Sequence, residues 1–180
     1  MTNCELNNLF NTSTTDGLSA KFLANFAENV MMDNFFENWK RDVNNIPKLR
    51  TFKLLHSNFE AQSYVRSVLS RQQRSTIARM RSGTYPLEIE KGRYRGTPAN
   101  RSFCKACKSS SAVEDEKHFL IQCPQFLSKR NTFFADFHIR TSINLSILND
   151  DEILILLLTT NSKFVSNYII DITQFREQLI

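Results

Sequence analysis

Between Cys104 and Cys123 the chain reads CKACKSSSAVEDEKHFLIQC, a stretch with three of its four cysteines and one of its three histidines. Cys104 and Cys107 form a C-x-x-C pair, the spacing of a tight metal knuckle. His118 and Cys123 offer a second pair, with four residues between them. On an unbroken α-helix, positions five apart lie about 140° apart around the axis, which is poor for sharing one ion. Pro124 follows Cys123 directly and disfavours α geometry at the residue before it. The helix carrying His118 is therefore expected to end before Cys123, so that the thiolate can swing back toward the imidazole. Pro124 also suits the first turn of a following helix. The run VEDE (113–116) puts acidic residues where the His118 helix begins and its dipole favours them. The predicted site is a structural Cys3His zinc knuckle of the CCHC type, with Cys104, Cys107, His118 and Cys123 as ligands to Zn(2+). Four protein ligands leave no open coordination position, so no catalytic residue is assigned. The same residues have plainer readings: buried thiols acting as small hydrophobes, a disulfide, or an unrelated surface histidine. Cys4, His56 and His138 read as bystanders.

Four cysteines in 180 residues are too sparse for a disulfide scaffold. The N-terminus lacks a basic region followed by an apolar run, so no secretory signal is read there. The longest apolar run, Ile153–Leu158, is far short of the ~20 residues of a membrane span. The expected setting is intracellular, nuclear or cytoplasmic, with no membrane partner and no small-molecule substrate. Fifteen phenylalanines against four glycines and four prolines favour long helices over a strand-rich fold.

Charge is unevenly spread. Residues 1–47 carry three basic and six acidic side chains, 48–95 carry eleven and three, and 96–180 carry nine of each. The central segment, Lys48–Arg95, therefore holds the excess positive charge, with Phe52, Phe59, Tyr64, Tyr85 and Tyr94 interleaved. Arginine bonds phosphate through a bidentate fork, and aromatic rings stack on unpaired bases. RNA or DNA is the partner this pattern suggests, with Arg66, Arg71, Arg74, Arg79, Arg81, Arg93 and Arg95 as candidate contacts. If one helix runs through them, Arg66, Arg71, Arg74 and Arg81 share an arc of roughly 140°. The plainer reading is a solvated helix face.

The expected fold is mostly α: one helical domain with a small β-hairpin and the zinc knuckle. Residues 1–15 read as a disordered tail. Residues 16–95 form a helical region, 96–137 the knuckle module and 138–180 the C-terminal helices that pack on the rest. Asp16 is a candidate cap for a helix over Leu18–Asn44, where Leu18, Phe22, Phe26 and Val30, continued by Phe35, Phe36, Trp39 and Val43, mark a core-facing stripe. In PLEIEKGRYR, Leu87 and Ile89 alternate with Glu88 and Glu90 before Lys91–Gly92, the pattern of a hairpin. Helices are expected in PQFLSKRNTFFADF, in DDEILILLLTT and over Val165–Gln178. Asp150, Asp151 and Glu152 are the densest carboxylate cluster, and their place at a helix start fits capping better than catalysis.

Several ordered motifs carry a resemblance: K-L-R-T-F (48–52), R-x-R-x-G (79–83), E-x-G-R-Y (90–94), then R-x-x-C-x-x-C and E-D-E-x-H-x-x-x-x-C-P (101–124). Together, over about Trp39–Phe134, they resemble the extreme C-terminal region of reverse transcriptase polyproteins of non-LTR (LINE-like) retrotransposons. The resemblance implies a zinc-binding module downstream of a polymerase that assists binding of template RNA or target DNA. It carries Cys104, Cys107, His118 and Cys123 over as ligands, and assigns no single arginine to phosphate. A Tyr-x-Asp-Asp polymerase motif is missing, as is the strand pattern that RNase H or endonuclease carboxylates need. The expectation is a non-catalytic, zinc-stabilised nucleic-acid-binding module, a detached tail or domesticated remnant. The alternative is a helical protein-interaction domain in which zinc only holds the fold.

Overall fold

A computed structural model describes residues 19–56 and 60–180. The chain divides into two compact units, Met1–Ile46 and Pro47–Ile180. The expected tail at 1–15, the Asp16 cap, Leu18, Cys4 and Phe59 lie outside the described residues.

In the first unit, helix α1 spans Ala20–Asn45, and its cap is Ser19, whose Oγ accepts from Phe22 N at 3.2 Å. The expected core stripe is buried only at its C-terminal end, with Phe26, Val30, Phe36 and Trp39 partly covered. Val43 is the buried residue of this helix, while Phe22 and Phe35 are half exposed. Phe36 and Trp39 stack at 5.7 Å, and Lys40 lies over the Phe36 ring.

The second unit is mostly helical: α2 (Arg50–Leu55), α3 (Ser63–Arg66), α4 (Arg71–Arg81), α5 (Glu88–Tyr94), α6 (Leu127–Thr141), α7 (Asp150–Thr159) and α8 (Ser162–Leu179). The stretch read as a β-hairpin is helix α5. Its alternation misleads because both phases face inward: Leu87, Glu88, Ile89 and Glu90 are all buried. Among the described residues, extended pairing is limited to one antiparallel bridge, Phe103 to Val113.

The stretch 63–81 is two helices. Ser70 restarts the chain with a capping box: its Oγ accepts from Gln73 N at 3.2 Å, and Ser70 N donates to Gln73 Oε1 at 2.9 Å. A second box opens α7, with Asn149 accepting from Asp151 N and Glu152 N and donating its N–H to Glu152 Oε2. The carboxylate cluster is thus taken up locally. Asp150 accepts from Gln122 at 2.8 Å and Asp151 pairs with Lys117 at 2.5 Å.

Helices α4, α7 and α8 build the core around Ile77, Met80, Leu154, Leu157, Leu158 and Ile169, each almost fully buried. No single described helix is long and apolar enough to cross a membrane. Phe119 and Phe126 extend the core under the cysteine segment, meeting edge to face at 5.3 Å. Phe133 stacks on Tyr168 at 4.0 Å, tying α6 to α8.

Two glycines permit close packing. Gly83 has φ +69°, and a Cβ there would collide with the Lys48 carbonyl oxygen. At Gly92 in α5, a Cβ would strike Ser102 Oγ.

Candidate metal centre

The knuckle starts where the Phe103–Val113 bridge holds two short segments side by side. Cys104 N donates to Ala112 O at 2.9 Å, and Glu114 N to Ser102 O at 2.9 Å. Between them the chain folds back on itself. Lys108 N donates to Cys104 O at 3.1 Å, with Lys108 in the left-handed region at φ 55°. This turn puts Cys104 and Cys107 on the same side of the loop.

The second pair arrives by a different geometry from an ordinary helix. His118–Gln122 is a π-helical segment, and Cys123 N donates to His118 O at 2.7 Å, five residues back. That wider turn stacks residues five apart one above the other, where an α-helix would separate them. Cys123 itself is extended, at ψ 121°, ahead of Pro124. Asp115 accepts from His118 N at 2.8 Å and starts the segment.

Cys104, Cys107, His118 and Cys123 bring their ligand atoms within 4.8 Å of one another. Cys104 Sγ lies 3.9 Å from Cys123 Sγ, and Cys107 Sγ lies 3.6 Å from His118 Nε2. An ion bound tetrahedrally at about 2.3 Å from sulfur and 2.0–2.1 Å from nitrogen needs edges of about 3.8 and 3.5 Å. These two edges fit that requirement. The hydrogen bond between the two thiols pushes Cys104 up to about 12, with burial adding to it, and lowers Cys123. A cation would take the place of that shared proton.

The other two acids of the VEDE run do not serve the helix dipole. Glu114 is fully buried and holds Arg176 of α8 through Nε at 2.7 Å and a second nitrogen at 2.6 Å. Its Oε1 is also 3.5 Å from Cys104 Sγ. Glu116, also buried, accepts from Arg50 at 2.7 Å and Thr51 at 3.0 Å. Burial pushes its carboxyl up against the opposing pull of Arg50. Carbonyls that the π turn leaves open are satisfied from the C-terminal helices: Tyr168 donates to Leu120 O at 3.0 Å and Arg130 to Cys123 O at 3.0 Å.

The candidate phosphate contacts have unequal roles. Because α3 and α4 are separate helices, no continuous Arg66–Arg81 stripe forms. Arg74 donates to the carbonyls of Tyr64, Val65 and Ser67, closing the C-terminus of α3. Arg81 is buried and donates to Leu158 O in the last turn of α7 and to Gln62 Oε1 at 2.6 Å, and meets His56 Nε2 at 3.1 Å. Arg66, Arg71 and Arg79 are exposed, and Arg79 also reaches Thr84 O at 3.3 Å. Arg93 pairs with Glu90 at 2.8 Å and Arg95 with Glu88 at 3.2 Å.

Beside the metal ligands lies an open cleft of about 520 Å³. Arg95, Arg101, Lys105 and Lys108 line it together with Cys104, and Glu88 lies at its inner side. Lys105 at 3.1 Å, Arg95 at 3.2 Å and Lys91 at 3.8 Å all converge on the Glu88 carboxylate. Burial would raise that carboxyl, but Lys105 first, then Lys91 and Arg95, hold it below the usual range. Arg101, Lys105 and Lys108 are outside the basic segment as read from sequence. The signal was present in the knuckle itself, where CKACK sets a lysine after each cysteine. No family model, curated protein or solved structure matches this chain.

Proposed function

We propose that this chain is a non-catalytic, zinc-stabilised nucleic-acid-binding module, of the kind the resemblance to a LINE-like reverse transcriptase tail implies. The observation that carries the reading is the basic cleft beside the four metal ligands. Residues 79–108 hold eight basic and two acidic side chains, and four of the cations line that one cleft. Phosphate suits such a site, since Arg95 and Lys105 share one buried carboxylate, Glu88, and are about half exposed, free to reach a second anion. Zinc is the metal favoured by three thiolates and an imidazole in a closed site. Its role is to fix the loop that carries Lys105 and Lys108.

The test is twofold. Native mass spectrometry should find one ion per chain, an increment of ~65 Da. A binding titration against RNA and DNA oligonucleotides across salt concentrations should give log affinity falling linearly with log salt. Absence of binding to either nucleic acid overturns the reading and favours a helical protein-interaction domain in its place.

A further inference from the structure

Helix α5 ends on a side chain that the fold does not use. Tyr94 is 85% exposed, the most exposed aromatic among the described residues. It borders a second, smaller cleft of about 240 Å³, which also takes in Arg79 and Lys91. The next residue, Arg95, lines the larger cleft with Arg101, Lys105 and Lys108. The ring thus lines one cleft while its chain neighbour lines the other, and both clefts carry cations.

The charges around it are not balanced. Glu88 is the shared partner of Lys91, Arg95 and Lys105, while its other neighbour, Arg176, is already engaged by Glu114. The side chains of Arg95 and Lys105 are about half exposed, at 55% and 51%. The exposed halves of these two cations can bond a phosphate oxygen while Glu88 stays behind them. The ring offers what the cations cannot, a π face for a base. A base in a duplex has both faces stacked already, so only an unpaired one can use it. Seven residues of helix, about 10 Å, are also short for lying along a major groove.

We infer that the nucleic acid is single-stranded, that an unpaired base stacks on Tyr94, and that the adjoining backbone runs through the cleft lined by Arg95, Arg101, Lys105 and Lys108. This rests on the nucleic-acid-binding reading above and adds the strandedness and the contact residue.

The experiment is fluorescence anisotropy on the full metal-loaded chain. The probes are a mixed-sequence single-stranded RNA, the same sequence as DNA, and a blunt DNA duplex, each over a salt series. Tyr94→Ala should weaken single-strand binding about tenfold, with an unchanged salt slope and unchanged duplex binding. Tyr94→Phe should bind like the parent chain. Arg95→Ala with Lys105→Ala should lower the magnitude of the single-strand salt slope by about one to one and a half. Tyr94 is exposed, so Tyr94→Ala should keep the parent's melting temperature and metal content. Parent-like single-strand binding by Tyr94→Ala overturns the stacking contact, as does an equal loss on duplex. Both results leave the nucleic-acid reading standing. If the parent chain binds no nucleic acid, both proposals fall together.

Discussion

Arg176 and Glu114, 62 residues apart in sequence, form a buried two-point ion pair beside Cys104 of the candidate metal centre. With the Tyr168 bond to Leu120 O, the pair ties the last helix to the knuckle. Removing one partner strands the other charge in the interior, at a cost of about 3–5 kcal/mol. Arg176→Ala should therefore lower the urea midpoint sharply. Metal affinity, measured by competition with a chromogenic chelator, should fall by about 10–100-fold, the usual effect of losing an outer-shell partner. Removing both charges, with Arg176→Met and Glu114→Gln, should recover part of the stability.

Arg81 should act as a structural residue. Its guanidinium joins the C-terminus of α7 to Gln62 and His56 and pairs with no carboxylate among the described residues. Arg81→Ala should cost about 3 kcal/mol in chemical unfolding, from several lost hydrogen bonds to buried groups. Arg66→Ala and Arg71→Ala, on exposed side chains, should stay within about 0.5 kcal/mol of the parent.

Gly83→Ala should destabilise by about 3 kcal/mol or more. The substitution meets two penalties: a left-handed backbone at φ +69° and a collision with the Lys48 carbonyl. Gly96 has the same φ with open space around its Cβ position, so Gly96→Ala isolates the backbone part and should cost less. Thermal melts of both variants make the comparison.

Acid should weaken the fold through His56. Burial first, then the charge of Arg81, lower its pKa from 6.5 to about 4. The unfolded chain takes up this proton near pH 6.5 while the folded one resists it until about pH 4. The stabilising contribution is thus complete above pH 6.5 and is lost progressively as pH falls to about 4. Metal ligands also protonate in acid, so the readout is a difference. Between pH 7 and pH 5 the urea midpoint of the parent should fall further than that of His56→Gln, which keeps an acceptor for Arg81 and does not titrate.

Much of the fold was readable along the chain. Helices α6, α7 and α8 follow their apolar periodicity, and the four cysteine and histidine ligands converge as their spacing and Pro124 suggested. The failures have physical causes. Period-two alternation at 87–90 implies a strand only if acidic residues face water, and here long-range partners draw Glu88 inward. The stretch 63–81 reads from sequence as one or two helices, and the capping box Ser70-x-x-Gln73 decides for two. Neither the π turn nor the Arg176–Glu114 pair has a local signature. The first depends on Tyr168 and Arg130 donating to the carbonyls of Leu120 and Cys123, and the second joins distant parts of the unit.

The four ligands span only twenty residues, yet the groups that hold them in place come from α2, α6 and α8. A peptide cut to the ligand stretch would have the donor atoms without the frame, and would bind its ion more weakly than the intact unit. Occupancy of the centre is consequently a gauge of tertiary completeness. In the zinc-bound chain proposed above, damage at Arg50, Arg130, Tyr168 or Arg176 would register as lost metal, although none of the four is among the candidate ligands.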